Sequence, residues 1–170
     1  FQSSTLFDSM SCLDNVALPI RKHLKLPQHR ARMRALHYMS ELGIEHLAER
    51  APSVLGPGLQ KMVAVARTLT LEPKAILYDE PTTGLDPLAA RKFGSLVSNK
   101  LSLSGLTQIV VSHDVRSVVD IADRLIMLHE GEIRFMGTVR DLAVTSDRTV
   151  RNFVEGRPEG PASLAPQKIF

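Results

Sequence analysis

The sequence predicts an α/β fold, with a core of parallel strands joined to a helical portion. Two short apolar runs, residues 75–78 and 108–111, are separated by a helical stretch over about residues 88–102. Strand, helix and strand in that order imply a parallel crossover with both strands buried. The first run ends in adjacent carboxylates, Asp79 and Glu80, and ligands of open α/β sheets sit at the carboxyl ends of strands. Residues 1–58 read instead as loops and helices.

Taken in order, residues 1–18 mix turn formers with scattered apolar residues, and Pro19 and Pro27 punctuate the approach to a helix. That approach reads as a loop with short helical pieces. Over residues 28–50, Met33, Leu36, Met39 and Leu42 recur at helical spacing, with Gly43 as a C-terminal stop and a short helix over 44–48. Residues 59–71 are dense in helix formers and follow Gly56-Pro57-Gly58, so a helix starts there. Beyond the crossover, residues 125–128 and 133–136 flank Glu130-Gly131 as a hairpin. Two short helices follow, at about 138–144 and near Val150. The Gly- and Pro-rich tail, 155–170, reads as flexible.

Composition narrows the class. The chain has 170 residues, 44% of them hydrophobic, enough to bury one core. The single cysteine, Cys12, excludes an internal disulfide, suits a reducing compartment and reads as a small core filler. No apolar run approaches the ~18 residues of a membrane-spanning helix, so a membrane role is expected to go through partners. Net charge is +3, but Arg21, Lys22, Lys25, Arg30, Arg32 and Arg34 form an acid-free cluster. Such a cluster fits either a solvated helix face or a surface for anionic headgroups or nucleic acid; no aromatics interleave for base stacking.

The strongest chemical signal is Ala75-Ile-Leu-Tyr-Asp-Glu-Pro81. Alternation along a strand turns Asp79 and Glu80 in different directions. Asp79 is then placed to hold Mg²⁺ through water, and Glu80 to orient and deprotonate an attacking water. Taken alone, the same run fits a strand end with a solvated turn. Its company decides: Thr82-Thr-Gly-Leu-Asp-Pro87 follows at once, and Val110-Val-Ser-His-Asp114 ends the next strand. A histidine at such a strand end can donate to a phosphate oxygen and relay a proton.

Together these motifs resemble the ABC ATPases, which implies a P-loop NTPase fold, present here in part. By that resemblance Asp79 and Glu80 are the Walker B carboxylates. Asp86 lies in the D-loop and touches a partner subunit, and His113 is the switch histidine that reaches the γ-phosphate. Phe1-Gln2 resembles the Q-loop, whose glutamine contacts Mg²⁺ and the attacking water. Gln2 lies 53 residues before Leu55, an interval that fits a compact helical subdomain and excludes the chromosome-organising relatives with their long coiled coil. The resemblance divides the chain into 1–154, the C-terminal part of the ATPase domain, and the tail. Within it, about 3–58 is the helical subdomain and signature region, and 59–154 is the catalytic core.

Ser53-Val-Leu-Gly-Pro-Gly-Leu-Gln60 stands where the family writes LSGGQ. Gly56 and Gly58 are the expected nucleotide-binding glycines, but Gly56 replaces the serine and Pro57 the first glycine. The signature is a helix N-terminus gripping the γ-phosphate of ATP on the opposite subunit. Gly56 removes a hydroxyl and Pro57 an N–H, each worth about 1.5–3 kcal/mol toward a charged acceptor. Arg67, on the helix that follows, reads as structural. No GxxxxGK[ST] run occurs in the 170 residues. The family places that loop before the Q-loop, so the sequence reads as a fragment expected to bind ATP poorly and to be inactive as it stands.

Phe1-Gln-Ser-Ser-Thr-Leu-Phe-Asp-Ser-Met10, Asp14-Asn-Val-Ala-Leu-Pro19, Val111-Ser-His-Asp-Val115 and Val150-Arg-Asn-Phe-Val-Glu-Gly156 resemble the Mla-type phospholipid-transport ATPases. That resemblance implies ATP and Mg²⁺ as cofactors, a second ATPase subunit forming a homodimer, and a membrane permease as partners. It implies no nucleic acid, and a peripheral place on the cytoplasmic face of the plasma membrane. A permease coupling helix is expected to dock near Leu6, Phe7, Met10 and Leu13; the same four also read as core. Two rivals stand beside this transport ATPase. One is a non-hydrolysing regulatory subunit, motivated by the altered signature. The other is a soluble ABC protein acting on ribosomes, which needs a second ATPase half.

Overall fold

The computed structural model describes residues 6–101 and 105–157, in two compact units, Phe1–Ile121 and Ala122–Phe170. In the first, three helices pack on one another: α1 (Cys12–His23), α2 (Gln28–Glu41) and α3 (Pro57–Leu69). Where the sequence suggested a loop, α1 runs for 12 residues through Pro19. An interior proline costs a helix about 3 kcal/mol. Burial of Leu13, Val16, Ala17 and Ile20 on one face outweighs that cost. The N-terminus of α1 is also well supplied with acceptors. Ser11 Oγ accepts from Asp14 N at 3.1 Å, while Cys12 N and Leu13 N donate to the carbonyls of Arg50 and Ala48. Cys12 is fully buried, as a core filler should be, and burial pushes its thiol pKa up.

α2 ends as expected at Gly43, whose φ of +72° closes a Schellman motif. Ile44 N donates to Met39 O and Gly43 N to Ser40 O, both at 2.9 Å. Its buried face differs from the row read in the sequence: Ala31, Ala35, Met39 and Leu42 are buried, whereas Met33 is 72% exposed. A row repeating every third residue drifts about 60° per step around a helix of 3.6 residues per turn, so it leaves the core face. The predicted helix at 44–48 is a single 3₁₀ turn, Glu45–Leu47, and another 3₁₀ turn, Pro52–Val54, leads into α3.

β1 (Ala75–Asp79) and β2 (Thr107–Val111) pair in parallel, with Asp79 opposite Val111. The crossover runs through α4 (Pro87–Ser95) and a π-helical turn, Leu96–Leu101. Ile76 and Tyr78 face the core, and Tyr78 meets Phe93 of α4 edge to face, with ring centroids 5.8 Å apart. The opposite face corrects the expectation of two fully buried strands: Leu77, Ile109 and Val111 are exposed. Nothing among the described residues of this unit covers them. A short helix, α5 (Val115–Val119), follows β2.

In the second unit, β3 (Leu125–His129) and β4 (Glu132–Gly137) form the expected hairpin, bulged at Met127/Leu128. Glu130 and Gly131 both have positive φ, +50° and +82°, as a two-residue primed turn requires. α6 (Val139–Ala143) opens on a capping box between Thr138 and Asp141. α7 (Arg148–Glu155) is capped by Asp147, which also pairs with Arg134 of β4 at 2.9 Å. Helix thus extends into the start of the predicted tail, and residues 158–170 lie outside the described residues.

Candidate functional site

β1 delivers two carboxylates to the carboxyl edge of the sheet and then stops. Glu80 N still donates to Val111 O at 2.9 Å, but Glu80 has φ +46°, a left-handed backbone that residues other than glycine rarely adopt. Pro81 follows and has no N–H with which to continue the strand. The two side chains part here, as alternation predicts. Asp79 is exposed and lines a cleft between α1, α3 and β1 with Lys22, Lys61 and Thr68, whereas Glu80 turns toward the end of β2.

Glu80 is held at both carboxylate oxygens. Oε1 accepts from His113 N and His113 Nδ1, each at 2.9 Å; Oε2 accepts from Thr83 Oγ1 at 3.0 Å and Ser112 Oγ at 3.4 Å. Donors that favour the charged form lower a carboxyl pKa. The His113 imidazole is the largest influence holding Glu80 below its ordinary range, with Thr83 and the His113 amide acting in the same direction. His113 is three-quarters exposed, so its ring is open to a ligand while it holds Glu80. Asp114 follows it and caps α5, accepting from Ser117.

Because the Glu80 pKa is depressed in the folded state, its ionised form contributes stability above the ordinary glutamate range. That contribution is lost as pH falls through the depressed value. The Glu80 carboxyl ¹³C signal is therefore expected to titrate below an ordinary glutamate, and Thr83→Val to move its midpoint upward. A midpoint at the ordinary value in the unsubstituted protein would contradict the hydrogen bonding described above.

Asp86 does a local job: its Oδ1 caps α4, accepting from Leu88 N at 2.9 Å and Ala89 N at 3.0 Å. These amides hold its carboxyl below the usual range, with Ala89 contributing most. At the signature position, Gly56 is the N-cap of α3, with no side-chain cap, and Pro57 takes the first helical position, where a missing N–H costs least. A Cβ at Gly56 meets nothing within 4 Å, whereas one at Gly58 comes within 3.2 Å of Ala89 Cβ. Gly58 is therefore what allows α3 and α4 to approach. Gln60 Nε2 donates to Pro52 O and Leu55 O, both at 3.1 Å.

The fold thus brings Asp79, Glu80 and His113 to one sheet edge. It sets Gly56, Gly58 and Asp86 at two helix N-termini, and Gln2 lies outside the described residues. Sequence reasoning did not single out Thr83 and Ser112 as donors to Glu80, nor Lys61. Lys61 reaches from α3 to the carbonyls of Pro81 at 2.6 Å, Thr83 at 2.9 Å and Glu80 at 3.4 Å. Thr83 and Ser112 adjoin recognised motif residues, a signal that could have found them. Lys61 directly follows the stretch ending at Gln60, but its residue type there gave no sign of a contact with the turn after β1.

The described residues contain no cluster of three side chains that could cage a metal. A single exposed carboxylate such as Asp79 suits Mg²⁺, which keeps most of its ligands as water and phosphate. Of the coupling-helix candidates, Leu13 is buried, Leu6 packs against the core, and Phe7 is 50% exposed. In the basic cluster, Arg32 pairs with Asp14 and Glu49 at 2.6 Å each, and Arg34 with Glu72. Arg21, Lys22, Lys25 and Arg30 are exposed. No helix among the described residues is long and apolar enough to cross a membrane.

The model of the family described as ABC transporter matches residues 1–83. The intermembrane phospholipid transport system ATP-binding protein MlaF of Haemophilus influenzae is 38% identical over 95% of this chain and 61% of its own length. The protein of the same name from Escherichia coli K12 is 37% identical over 95% of the chain and 60% of its length. Among solved structures, cbiO1 from Clostridium perfringens, part of the ABC transporter complex cbiONQ, aligns with a TM-score of 0.77 at 31% identity. That alignment covers 84% of this chain and 57% of the other. The chain therefore spans about three fifths of the length of these MlaF relatives.

Proposed function

Because this chain carries the sequence and the fold of the ABC transporter ATPase family, we propose that the native protein hydrolyses ATP to drive a membrane permease that moves phospholipid or a similar apolar substrate. One observation carries the reading: an ionised glutamate at the carboxyl end of β1, bonded to a histidine at the end of β2. The phospholipid assignment is supported by the MlaF relatives, whose name states that transport. The ATPase works as a dimer on the cytoplasmic face of the membrane, reached through its permease.

Within the site, Glu80 is the general base. A carboxylate whose pKa is held down stays ionised at neutral pH and can orient a water and accept its proton. His113 fixes the Glu80 carboxylate through Nδ1, and its exposed ring would be available to the γ-phosphate. Asp79 would hold Mg²⁺, with Gln2 contributing to the same ion, and the ion would offset the charge of the phosphates. ATP bound with Mg²⁺ supplies the phosphoanhydride to be cleaved. Gly56, Gly58 and the N-terminus of α3 present backbone to nucleotide held by the partner subunit, and Asp86 lies at the contact between subunits.

A second reading, a regulatory subunit that binds ATP without hydrolysing it, is favoured by Gly56-Pro57 at the signature. Phosphate release by the native protein, with and without Gly56→Ser plus Pro57→Gly, separates the two. The open space at Gly56 admits the serine. Hydrolysis predicts Mg²⁺-dependent release before the change and about 10-fold or more after it, since each restored bond to a charged acceptor is worth about 1.5–3 kcal/mol. Release detectable only after the change would favour the regulatory reading.

A further inference from the structure

Lys61 lies in the second turn of α3, with its side chain only partly exposed. Burial lowers its pKa, while the Glu80 charge acts the other way. A lysine ammonium has three donors and no acceptor. Around it stand three carbonyl oxygens, from Pro81, Thr83 and Glu80, all in the turn that leaves β1. Donor number and acceptor number match, which is how a partly buried charge is kept without large cost.

That turn needs holding. Glu80 sits at φ +46°, a strained conformation that persists only where its surroundings over-determine it. On its side-chain side, the carboxylate is bound by His113, Thr83 and Ser112. On its main-chain side, Lys61 clamps the carbonyls. The base of the clamp is itself rigid, since α3 buries Val63, Val65 and Ala66, approaches α4 closely at Gly58, and is tied to Pro52 and Leu55 through Gln60. Gln60 and Lys61, adjacent on one helix, thus link the loop before α3 to the turn after β1.

We infer that Lys61 is a positioning residue for the proposed reaction, holding the 80–83 turn so that the Glu80 carboxylate is aimed for proton transfer without touching nucleotide itself. This rests on the assignment of Glu80 as the base. Reactions that depend on aim lose rate steeply with small displacements of the reacting group. Arginine keeps the charge and the donors; methionine keeps only the stem.

The test compares Lys61→Met, Lys61→Arg and Glu80→Gln in the native protein, measuring phosphate release, affinity for a non-hydrolysable ATP analogue and urea unfolding. Lys61→Met is expected to lower kcat by about 10- to 100-fold with KM and analogue affinity within about 2-fold, the pattern of an interaction realised in the transition state. Lys61→Arg restores most of the rate. Loss of turnover in Glu80→Gln with turnover kept in Lys61→Met overturns the inference and leaves the base assignment standing. Turnover kept in Glu80→Gln overturns both. A kcat loss in Lys61→Met that only tracks the folded fraction in the unfolding curve also overturns the inference.

Discussion

Glu80→Gln in the native protein is expected to reduce ATP turnover by about 10²- to 10⁴-fold, the range that a positioned general base contributes. Glutamine keeps the length of the side chain and one carbonyl oxygen, so Thr83 or His113 still finds an acceptor. It cannot take a proton. Nucleotide affinity should persist, because nothing in the substitution removes a group assigned to binding. Measurement of phosphate release alongside analogue binding checks the result. Turnover within about 3-fold of the unsubstituted protein is too small an effect for a general base and would remove Glu80 from the mechanism. The arrangement around Glu80 makes this a sharp test: all four donors converge on the one side chain, and its backbone is left-handed.

The largest expected effect on stability lies elsewhere, at Asn15. This side chain is fully buried in α1, and its Nδ2 donates to the carbonyls of Phe7 and Ser11 at 3.0 Å and of Met10 at 3.4 Å. Its Oδ1 accepts from Phe7 N at 2.8 Å. One amide therefore ties the whole 7–11 segment down onto the first helix. Asn15→Ala strips those partners while leaving a void, and each buried polar group left without a partner costs about 1–3 kcal/mol. With water reaching part of the loop, a net loss of about 2–4 kcal/mol is expected, seen as a lower urea midpoint at unchanged slope. A loss under about 1 kcal/mol would mean that the loop finds other partners at little cost.

Most of the first unit was legible before any coordinates. The two strands, their parallel order, the helix between them, the start of α3 at the glycine-proline turn and the end of α2 at Gly43 all followed from local signals. The failures share a cause. Pro19 looked like a helix breaker, and only the burial of Val16, Ala17 and Ile20 against neighbours distant in sequence pays for keeping it inside α1. Of the row from Met33 to Leu42, Met39 and Leu42 are in the core, but packing chose Ala31 and Ala35 in place of Met33 and Leu36, which lets α1 and α2 approach. The exposed apolar face of β1 and β2 was unreadable, because an apolar run does not say how many of its faces are covered.

By itself the sequence determined the chemistry on offer: a strand ending in two carboxylates, a histidine ending the next, and a Gly56-Pro57-Gly58 turn opening a helix. Those features depend on residue type and spacing, which a linear chain displays directly. Only the tertiary structure decided that Glu80 takes a left-handed backbone, that His113, Thr83 and Ser112 all close on its carboxylate, and that Lys61 clamps the carbonyls behind it. Apart from Thr83, three residues on in the same turn, those contacts bring donors from elsewhere in the chain: His113 and Ser112 stand 33 and 32 residues away, and Lys61 19 from Glu80. Local propensity cannot encode such distances; the pairing of β1 with β2 and the close approach of α3 to α4 set them.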